Sequence, residues 1–369
     1  MRSDQHHKVA YLIDDLGLGG AQTLLANLVS SLPDQYVPLV FCLSEKDRPY
    51  GDQFRKKGIP VFLFKRNFHL DLPRLLKIKE FLAAERIDLV HSYLHASNVY
   101  AYLAARMLRL PVILSLQSNQ PRIGRFQNRA LSWVFRRADR VMVNSRAGKR
   151  YLLERAMVPA DRIVLIKNCF PGDHISAPAI SPLSNNNTIG FVGRLDNNVK
   201  RIDLLLRALP AVLEQRPESR LVLVGTGPDE QMLRDLAKEL AITDRVEFRG
   251  AVPDVLAEMR KFRCLVLPSA FEGTPMVVIE ALSLGVPVIA TDVGDIGELV
   301  LDRRTGRILE DVSPAGLARL ILDLVDDDAL IERVRVEGPS LVQSTYSVAS
   351  FQKQLTSLYD SLLSPSHPE

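Results

Sequence analysis

Short apolar runs alternate with amphipathic segments along most of the chain. Runs rich in Val, Ile and Leu are typical of buried strands, and apolar residues at spacings of three and four indicate helices. Helical spacing is found in segments such as Ala21–Ser31 and Leu75–Glu85. The strands predicted in the first half are Val9–Ile13, Pro38–Leu43, Val61–Phe64, Leu89–His91, Val112–Leu116, Val141–Asn144 and Ile163–Lys167. This alternation predicts a parallel sheet with helices on both faces.

A polar segment, Phe170–Thr188, interrupts the pattern and is predicted to be a linker because it is rich in Pro, Ser and Asn. The last residues up to Leu363 again have a helical pattern. The strands predicted after the linker are Ile189–Val192, Arg220–Val224, Val246–Phe248, Cys264–Leu267, Pro287–Ala290 and Arg307–Leu309. A length of 369 residues favours two domains. We therefore predict an α/β protein with two doubly wound domains and a ligand site in the cleft between them.

Composition sets limits on the class of protein. A hydrophobic content of 47% and a charged content of 24% are ordinary for a globular chain. The first apolar run meets Asp14 and Asp15 too early for a signal peptide, and no apolar run is long enough to predict a membrane span. The cysteines, Cys42, Cys169 and Cys264, form no CxxC motif, so neither a disulfide framework nor a zinc site is expected. These features predict a cytoplasmic protein.

The charge is distributed unevenly. Residues 1–180 carry a balance of +12 and residues 181–369 a balance of −8. The run Arg122–Arg150 has nine basic residues, one acidic residue and the aromatic residues Phe126, Trp133 and Phe135. One interpretation is a surface that docks on anionic lipid at the inner face of the cytoplasmic membrane. The other is an ordinary helix before the Val141 strand, with its aromatic residues in the core. Nucleic-acid binding is disfavoured, because no recognisable motif accompanies the charge.

Three motifs carry candidate chemistry. After the first strand, Gly19 and Gly20 open a helix, where free N–H groups can face an anion, but the spacing is not that of GxGxxG. After the Ile189–Val192 strand come Arg194 and Lys200, two cations suited to a diphosphate. The third motif pairs Glu272 with Glu280 across a Gly-Thr-Pro turn, Phe271–Ala281, in which carboxylates and helix amides could bind sugar hydroxyls and phosphate.

In combination, "GRL…K", "VGTGP" and "EGTPMVVIEALSLGVPVIATDVG" resemble the family 4 glycosyltransferases, retaining enzymes of the GT-B fold. The resemblance covers nearly the whole chain, from Gly19 to Gly306. It implies two Rossmann-like domains facing each other across a cleft. Residues 1–170 would bind the acceptor, residues 171–188 would be the linker, and residues 189–345 would bind the nucleotide sugar. A C-terminal helix in residues 346–369 would pack back toward the first domain.

The resemblance also implies roles for individual residues. Arg194 and Lys200 would bind the donor diphosphate, Glu272 the transferred sugar and Glu280 the ribose. A His is often catalytic in the first domain of this family, and His95 is preferred over His91 because it follows a strand. The alternative is that His95 is an ordinary core or surface histidine. Further contacts to the donor are implied for Gly19, Gly20, Gly193, Gly225, Gly227, Val252, Gly273, Thr274, Pro275, Met276 and Val277.

The implied reaction is front-face attack with retention, in which the leaving diphosphate helps to deprotonate the acceptor and no protein nucleophile is needed. Charge stabilisation by the two cations would then be the main catalytic task. No metal motif is seen and no cofactor is expected. The substrate would be a hexose-type nucleotide sugar, with UDP favoured over GDP. The acceptor would be a glycan or lipid-linked glycan in polysaccharide, lipopolysaccharide or glycolipid assembly.

Several positions depart from the family pattern. The strand end where many members carry another His reads Leu116-Gln117-Ser118-Asn119, and the usual Gly-Gly-x-Pro-Glu reads Gly294–Glu298. These departures concern the acceptor and the choice of sugar more than the activity. The alternatives are a nucleotide-sugar epimerase, an inverting transferase or a non-catalytic binding protein of the same fold. The nucleotide base, the sugar, the linkage and the acceptor are not predicted by the sequence.

Overall fold

The computed structural model describes residues 6–17, 19–65, 71–117, 125–170 and 187–364. The chain forms two compact units. The first unit is Met1–Cys169 together with Val348–Glu369, and the second is Phe170–Ser347. The first unit is thus built from two separate parts of the chain.

The described residues of the first unit form a seven-stranded parallel sheet of order β3-β2-β1-β4-β5-β6-β7. The strands are β1 (His7–Ile13), β2 (Tyr36–Cys42), β3 (Val61–Leu63), β4 (Leu89–Tyr93), β5 (Val112–Leu116), β6 (Arg140–Val143) and β7 (Ile163–Leu165). The strand order reverses between β1 and β4. Loops that follow these two strands diverge there, which leaves a crevice at the carboxyl ends of the strands.

Helices cover both faces of this sheet. They are α1 (Gly20–Ser30), α2 (Tyr50–Lys56), α3 (Leu72–Ala84), α4 (His95–Leu108), α5 (Arg125–Phe135), α6 (Arg146–Glu154) and, from the C-terminal part, the helix Val348–Leu363. Local sequence explains where several of them begin. Asp71 accepts a hydrogen bond from the amide of Arg74 at the start of α3, and Ser145 accepts one from the amide of Gly148 at the start of α6.

The two faces of the sheet bury different side chains, as the period of a strand requires. Along β1, Ala10 and Leu12 pack into the core on the side of α3 and α4. Their neighbours Val9, Tyr11 and Ile13 pack into the opposite core with residues of α1. That second core also contains Phe351, Leu355, Leu358 and Tyr359 of the C-terminal helix. The C-terminal helix is therefore part of the hydrophobic core of the first unit.

The second unit has a parallel sheet of six strands among its described residues, in the order β10-β9-β8-β11-β12-β13. The strands are β8 (Thr188–Val192), β9 (Arg220–Val224), β10 (Val246–Gly250), β11 (Cys264–Leu267), β12 (Val288–Ala290) and β13 (Gly306–Ile308). Its order reverses between β8 and β11. The loops that leave these two strands carry Arg194, Lys200 and Glu272.

The helices of the second unit pack around one apolar core. They are α7 (Asn197–Lys200), α8 (Ile202–Gln215), α9 (Glu230–Glu239), α10 (Val255–Met259), α11 (Met276–Ser283), α12 (Ile296–Leu299), α13 (Pro314–Val325) and α14 (Asp328–Thr345). The next helix in the chain, α15, is the C-terminal helix Val348–Leu363 already described in the first unit. No helix in the described ranges is both long and apolar enough to cross a membrane.

The predicted strands all occur, with ends that differ by at most two residues. The predicted fold class, two doubly wound parallel sheets, is confirmed. Most of the predicted linker, residues 171–186, lies outside the described residues, and Thr188 already belongs to β8.

Candidate active site

An ion pair joins the two loops at the reversal point of the second sheet. Lys200 ends α7, after β8, and Glu272 follows β11, 72 residues later in the chain. The Lys200 Nζ lies 2.6 Å from the Glu272 Oε1, with side-chain exposures of 18% and 10%. Ser269 donates a second hydrogen bond to the same oxygen at 2.7 Å. Extra hydrogen bonds of this kind offset the cost of burying charge, so the carboxylate is held in a defined orientation.

Arg194 lies two residues after the end of β8 and is exposed. Its guanidinium makes no hydrogen bond or ion pair with any described residue. Next to it, the amide of Leu195 donates to the carbonyl of Thr226 and the amide of Asp229 donates to the carbonyl of Leu195. The backbone of this loop is thus fixed while its cation remains available to an anionic ligand.

Glycines allow the carboxyl ends of β8 and β9 to approach closely. The φ angle of Gly225 is 126°, and a Cβ there would lie 2.0 Å from the carbonyl oxygen of Gly193. A Cβ on Gly227 would lie 2.3 Å from the carbonyl oxygen of Leu195. Side chains are therefore excluded at both positions by backbone atoms. Gly193, Gly225 and Gly227, all predicted to contact the donor, form one tightly packed edge beside Arg194.

The turn that carries Glu272 leads directly into α11. Thr274 is buried and donates to Asp295 Oδ2 at 3.3 Å, and Pro275 is the N-cap of the helix without a capping side chain. Met276 and Val277 pack partly against the core. An uncapped helix N-terminus is suited to an anion or to hydroxyl oxygens.

A second turn, at Gly294 and Asp295, supports the turn that carries Glu272. The sequence pattern did not indicate this support. Gly294 has a φ of 66°, and a Cβ there would lie 2.4 Å from the carbonyl oxygen of Glu272. The amide of Asp295 donates to the carbonyl of Gly273 at 3.0 Å. The only available signal was the departure from the family's Gly-Gly-x-Pro-Glu motif at this position, which keeps its first glycine as Gly294 and has Asp295 in place of the second.

Glu280 lies on the second turn of α11. Its carboxylate has no hydrogen-bond or ion-pair partner among the described residues, and desolvation by burial raises its pKa to about 7. A carboxylate without a partner in such surroundings is a strong acceptor for ligand hydroxyl groups. Val252, predicted for the nucleoside pocket, follows the end of β10 and packs partly against the core.

An open cavity of about 350 Å³ adjoins the Glu272 loop in the second unit. Its walls carry both charged and polar groups. The residues lining it are Arg201, Ser269, Ala270, Thr291, Asp292, Val293, Ile308, Leu309, Glu310 and Val312. The space lies at the carboxyl ends of β11, β12 and β13 and is large enough for a small polar ligand.

In the first unit, a polar loop follows β1 at the reversal point. The Asp14 carboxylate accepts hydrogen bonds from the amides of Ser97 at 2.7 Å and Ala96 at 3.3 Å, and therefore binds the N-terminus of α4. A Cβ on Gly19 would displace only the end of the Gln22 side chain, whose Oε1 would lie 2.4 Å away, and a Cβ on Gly20 would meet nothing within 4 Å. Gly20 thus borders open space.

The two candidate histidines have different surroundings. His91 lies inside β4 and is fully buried, with its Nδ1 2.7 Å from the Tyr359 hydroxyl and its Nε2 2.8 Å from the Ser115 hydroxyl. Burial lowers its pKa to about 3. His95 instead begins α4, beside Asp14, and its buried Nε2 has no partner. Desolvation lowers the pKa of His95, against a smaller opposing effect of Asp14. The environment of His91 is that of a structural residue.

Two polar residues that were not predicted as site residues end the next strands. Gln117 follows β5 and Asn144 follows β6, and Asn144 Nδ2 donates to Gln117 Oε1 at 3.1 Å. The Gln117 Nε2 is buried without a partner. The only signal in the sequence is the Leu116-Gln117 strand end, where the family often has histidine.

The basic run Arg122–Arg150 does not form one surface helix. It includes α5, β6 and the beginning of α6. Phe135 is buried in the core, and the Trp133 side chain is 45% exposed, with Arg137 stacked over it at 4.7 Å. The side chain of Phe126 lies outside the described residues. Phe135 thus belongs to the core, and Trp133 lies on the surface beside Arg137.

Models of two protein families match the chain. The family described as Glycosyltransferase Family 4 matches residues 18–171, and the family described as Glycosyl transferases group 1 matches residues 186–327. The two matches are adjacent and do not overlap. Each falls on one of the two doubly wound parts of the chain.

Known relatives are similar over much of the chain. A D-inositol 3-phosphate glycosyltransferase from Streptomyces avermitilis is 30% identical over 67% of this chain and 60% of its own length. The chain thus spans less than two thirds of that relative. An alpha-1,4-N-acetyl-D-galactosaminyltransferase from Campylobacter jejuni, whose name specifies a PP-undecaprenol-linked acceptor, is 28% identical over 87% of this chain and 89% of its own.

Solved structures share the fold. Anabaena HepE in complex with UDP-glucose superposes with a TM-score of 0.85 at 24% identity, and covers 97% of this chain and 100% of its own. The lipopolysaccharide outer core galactosyltransferase WaaB has a TM-score of 0.68 at 22% identity, over 96% of this chain and 100% of its own. The two family matches and the two doubly wound sheets show that the chain belongs to the family 4 glycosyltransferases and has their two-domain, Rossmann-like GT-B fold.

Proposed function

We propose that the chain is a retaining, metal-independent glycosyltransferase that moves a hexose from a UDP-sugar to a glycan or lipid-linked glycan acceptor. The observation that carries the proposal is the Lys200–Glu272 pair, oriented by Ser269 at the reversal point of the second sheet, with the unpaired Arg194 beside it. Cations and a fixed carboxylate at the carboxyl ends of parallel strands suit a sugar diphosphate.

Each group has a distinct task in this proposal. Arg194 and Lys200 bind the diphosphate, and the amides of residues 273–277 at the start of α11 add hydrogen bonds. Glu272 accepts from hydroxyl groups of the transferred sugar, and Glu280 accepts from the ribose. Lys200 already contacts Glu272. When a donor is bound, the Lys200 ammonium group therefore lies between the diphosphate of the donor and Glu272, the carboxylate that orients the donor sugar.

The proposed reaction breaks the bond between the sugar C1 and the diphosphate oxygen, while the acceptor oxygen forms a new bond to C1 on the same face. The acceptor proton passes to the departing diphosphate. Negative charge builds up on that diphosphate as the bond breaks, and Arg194 and Lys200 stabilise it. The two cations are the basis for proposing that no metal ion is required.

Relatives support the choice of substrates. HepE has been crystallised with UDP-glucose, and the Campylobacter relative is named for a PP-undecaprenol-linked glycan acceptor. A cationic first domain suits such an anionic, membrane-bound acceptor.

We place the protein at the inner face of the cytoplasmic membrane, in contact through the surface around Trp133 and Arg137. Sedimentation with vesicles of anionic lipid tests this placement. Trp133→Ala is expected to weaken binding, and equal binding to neutral vesicles would contradict it.

A screen of purified protein against UDP- and GDP-sugars, with and without EDTA, tests the activity. Thermal stabilisation and turnover with a UDP-sugar, both unaffected by EDTA, are expected. An axial bond at the sugar C1 in both the donor and the product, determined by NMR, would establish that the reaction retains the configuration at C1. Turnover that requires a divalent metal ion would refute metal independence. Formation of an epimerised donor sugar without any transfer product would refute the proposal that the protein is a transferase.

Substitution of Arg194 provides a sharper test. Arg194→Ala removes an exposed cation that holds no part of the fold, so the Tm should stay within about 1 °C while kcat falls by roughly 10- to 1000-fold. Arg207→Ala is the matched control, because Arg207 is also exposed and lies on the neighbouring helix α8. Full activity of Arg194→Ala would contradict its assignment to the diphosphate.

A further inference from the structure

The loop that follows β12 holds the loop that follows β11 at two points, one on each side of Glu272. Before Glu272, the Thr291 hydroxyl donates to the carbonyl of Ser269 at 2.5 Å. After Glu272, the amide of Asp295 donates to the carbonyl of Gly273 at 3.0 Å. The short segment from Ser269 to Gly273 is therefore fixed at both ends, which fixes the backbone position of Glu272.

The Glu272 carboxylate is bound by the protein at one of its two oxygens. The Lys200 ammonium group and the Ser269 hydroxyl both donate to Oε1, at 2.6 and 2.7 Å. The other oxygen, Oε2, makes no hydrogen bond or ion pair with any residue that the structure describes. Because both oxygens of a carboxylate are acceptors, Oε2 is the one available to a ligand hydroxyl. Its position depends on the backbone of the turn and on the contacts at Oε1.

Asp295 adds a side-chain contact to this turn. Its Oδ2 accepts a hydrogen bond from the Thr274 hydroxyl at 3.3 Å, and both residues are buried. The preceding residue, Gly294, lies so close to the turn that a Cβ would be 2.4 Å from the carbonyl oxygen of Glu272. The family motif has glycine at the position of Asp295, and a glycine has an amide for Gly273 but no side chain for Thr274. The Asp295 carboxylate is therefore a contact to the turn that the motif itself does not provide.

We propose that Asp295 is a positioning residue that determines which sugar the site accepts, and that it acts through the turn that carries Glu272. This inference rests on the proposed function, in which Glu272 accepts from a hydroxyl of the transferred sugar. Hexoses differ in whether a given hydroxyl is axial or equatorial, and a carboxylate oxygen held in one place binds one of the two arrangements better. A turn that moves more freely adapts to both. Binding groups need such support, because small displacements at a site cost much of its binding or rate.

Two substitutions separate the hydrogen bond from the rest of the side chain. Asp295→Ala removes the acceptor for Thr274, and Asp295→Asn keeps an oxygen in its place. Calorimetry measures the binding of UDP, UDP-glucose, UDP-galactose and UDP-N-acetylglucosamine to each protein. In Asp295→Ala we expect the affinity for the best-bound UDP-sugar to fall roughly three- to tenfold, the size of one hydrogen bond. The preference for this sugar over the other two should shrink, while the affinity for UDP should stay within about twofold of wild type. Asp295→Asn should retain most of the preference.

Asp327→Ala is the matched control for a loss of stability. Asp327 is a partly buried aspartate of the same unit that caps α14 by accepting from the amide of Leu330 at 2.8 Å. Its substitution should lower the Tm without changing the preference among UDP-sugars. An equal change of preference in Asp327→Ala and Asp295→Ala would mean that reduced stability is the cause, and would overturn the inference. An unchanged preference in Asp295→Ala, or an Asp295→Asn variant as impaired as Asp295→Ala, would overturn it as well.

A double variant tests the route through Glu272. In a Glu272→Gln background, Asp295→Ala should alter the sugar preference less than it does in wild type, because the effects of residues that act as one unit do not add. The same loss in both backgrounds would mean that Asp295 acts by another route and would overturn the inference.

Hydrogen exchange separates this inference from the proposed function. In the protein without ligand, the backbone amides of residues 269–277 should exchange at least about threefold faster in Asp295→Ala than in wild type or Asp327→Ala. Unchanged exchange would mean that Asp295 does not hold the turn, and would overturn the inference. If wild type binds neither UDP nor any UDP-sugar, the proposed function fails, and the exchange result still decides whether Asp295 positions the turn.

Discussion

The carboxyl group of Glu280 is expected to make the stability of the protein depend on pH in an unusual direction. Desolvation raises its pKa from 4.5 to about 7, so the folded chain holds this proton more strongly than the unfolded chain does. Between these two values the folded state binds the extra proton, and stability falls as the pH rises. The loss is complete above the folded pKa, where Glu280 is ionised in both states.

The size of the effect follows from the shift. One pKa unit corresponds to about 1.4 kcal/mol, which gives roughly 2–3 kcal/mol for Glu280 after allowance for the part of the side chain that solvent reaches. Glu280→Gln has no such ionisation. It should match wild type in stability near pH 4.5 and exceed it at pH 8.5 by this amount, or by roughly 5–10 °C in Tm.

The assay is urea unfolding of wild type and Glu280→Gln at a series of pH values. Glu298→Gln is a useful control, since it makes the same chemical change on α12 of the same unit. UDP binding should change in the opposite direction: it should weaken in Glu280→Gln, because an ionised carboxylate accepts ribose hydroxyls better than a neutral amide does. A stability difference between the two chains that stays constant from pH 4.5 to 8.5 would refute the reasoning.

Three further predictions concern packing. Tyr359→Phe leaves His91 and Tyr11 without their shared hydroxyl partner and should cost about 2 kcal/mol, measured by urea unfolding, and an unchanged midpoint would contradict the network. Gly225→Ala forces a Cβ against a backbone oxygen and should destabilise by roughly 3 kcal/mol or prevent folding, as thermal melting would show, whereas a wild-type Tm would mean that the strand ends can separate. Gly20→Ala adds a methyl group to open space, so the Tm should be kept and turnover of the donor should fall, and unaltered kinetics would remove Gly20 from the site.

Much of the fold could be predicted because local patterns determine it. Buried parallel strands are continuous apolar runs, and each predicted run is a strand in the structure. The strand order could not be derived from these runs, since nothing local specifies which strand lies beside β1. The reversal between β1 and β4, or between β8 and β11, depends on how the crossover helices pack on both faces.

The site could be predicted only where a motif carries it. Arg194, Lys200 and Glu272 were named from motifs, but their grouping required the fold, because 72 residues separate the members of the ion pair. The preference for His95 over His91 came only from its place after a strand, because the sequence cannot show that the C-terminal helix contacts His91. Gln117 was missed for a related reason: an unpaired amide is a property of its surroundings, not of its neighbours in the chain.

The C-terminal helix has a consequence for how the protein is made. Tyr359 and Phe351 complete a core whose other members, such as Tyr11 and Leu24, lie in the first part of the chain. On the ribosome, the first part of the first unit emerges before this helix, and the whole second unit is translated between the two parts. The unit that begins first is therefore the last to be completed. Until α15 has been translated, the apolar side chains of this core lack the partners that the helix supplies.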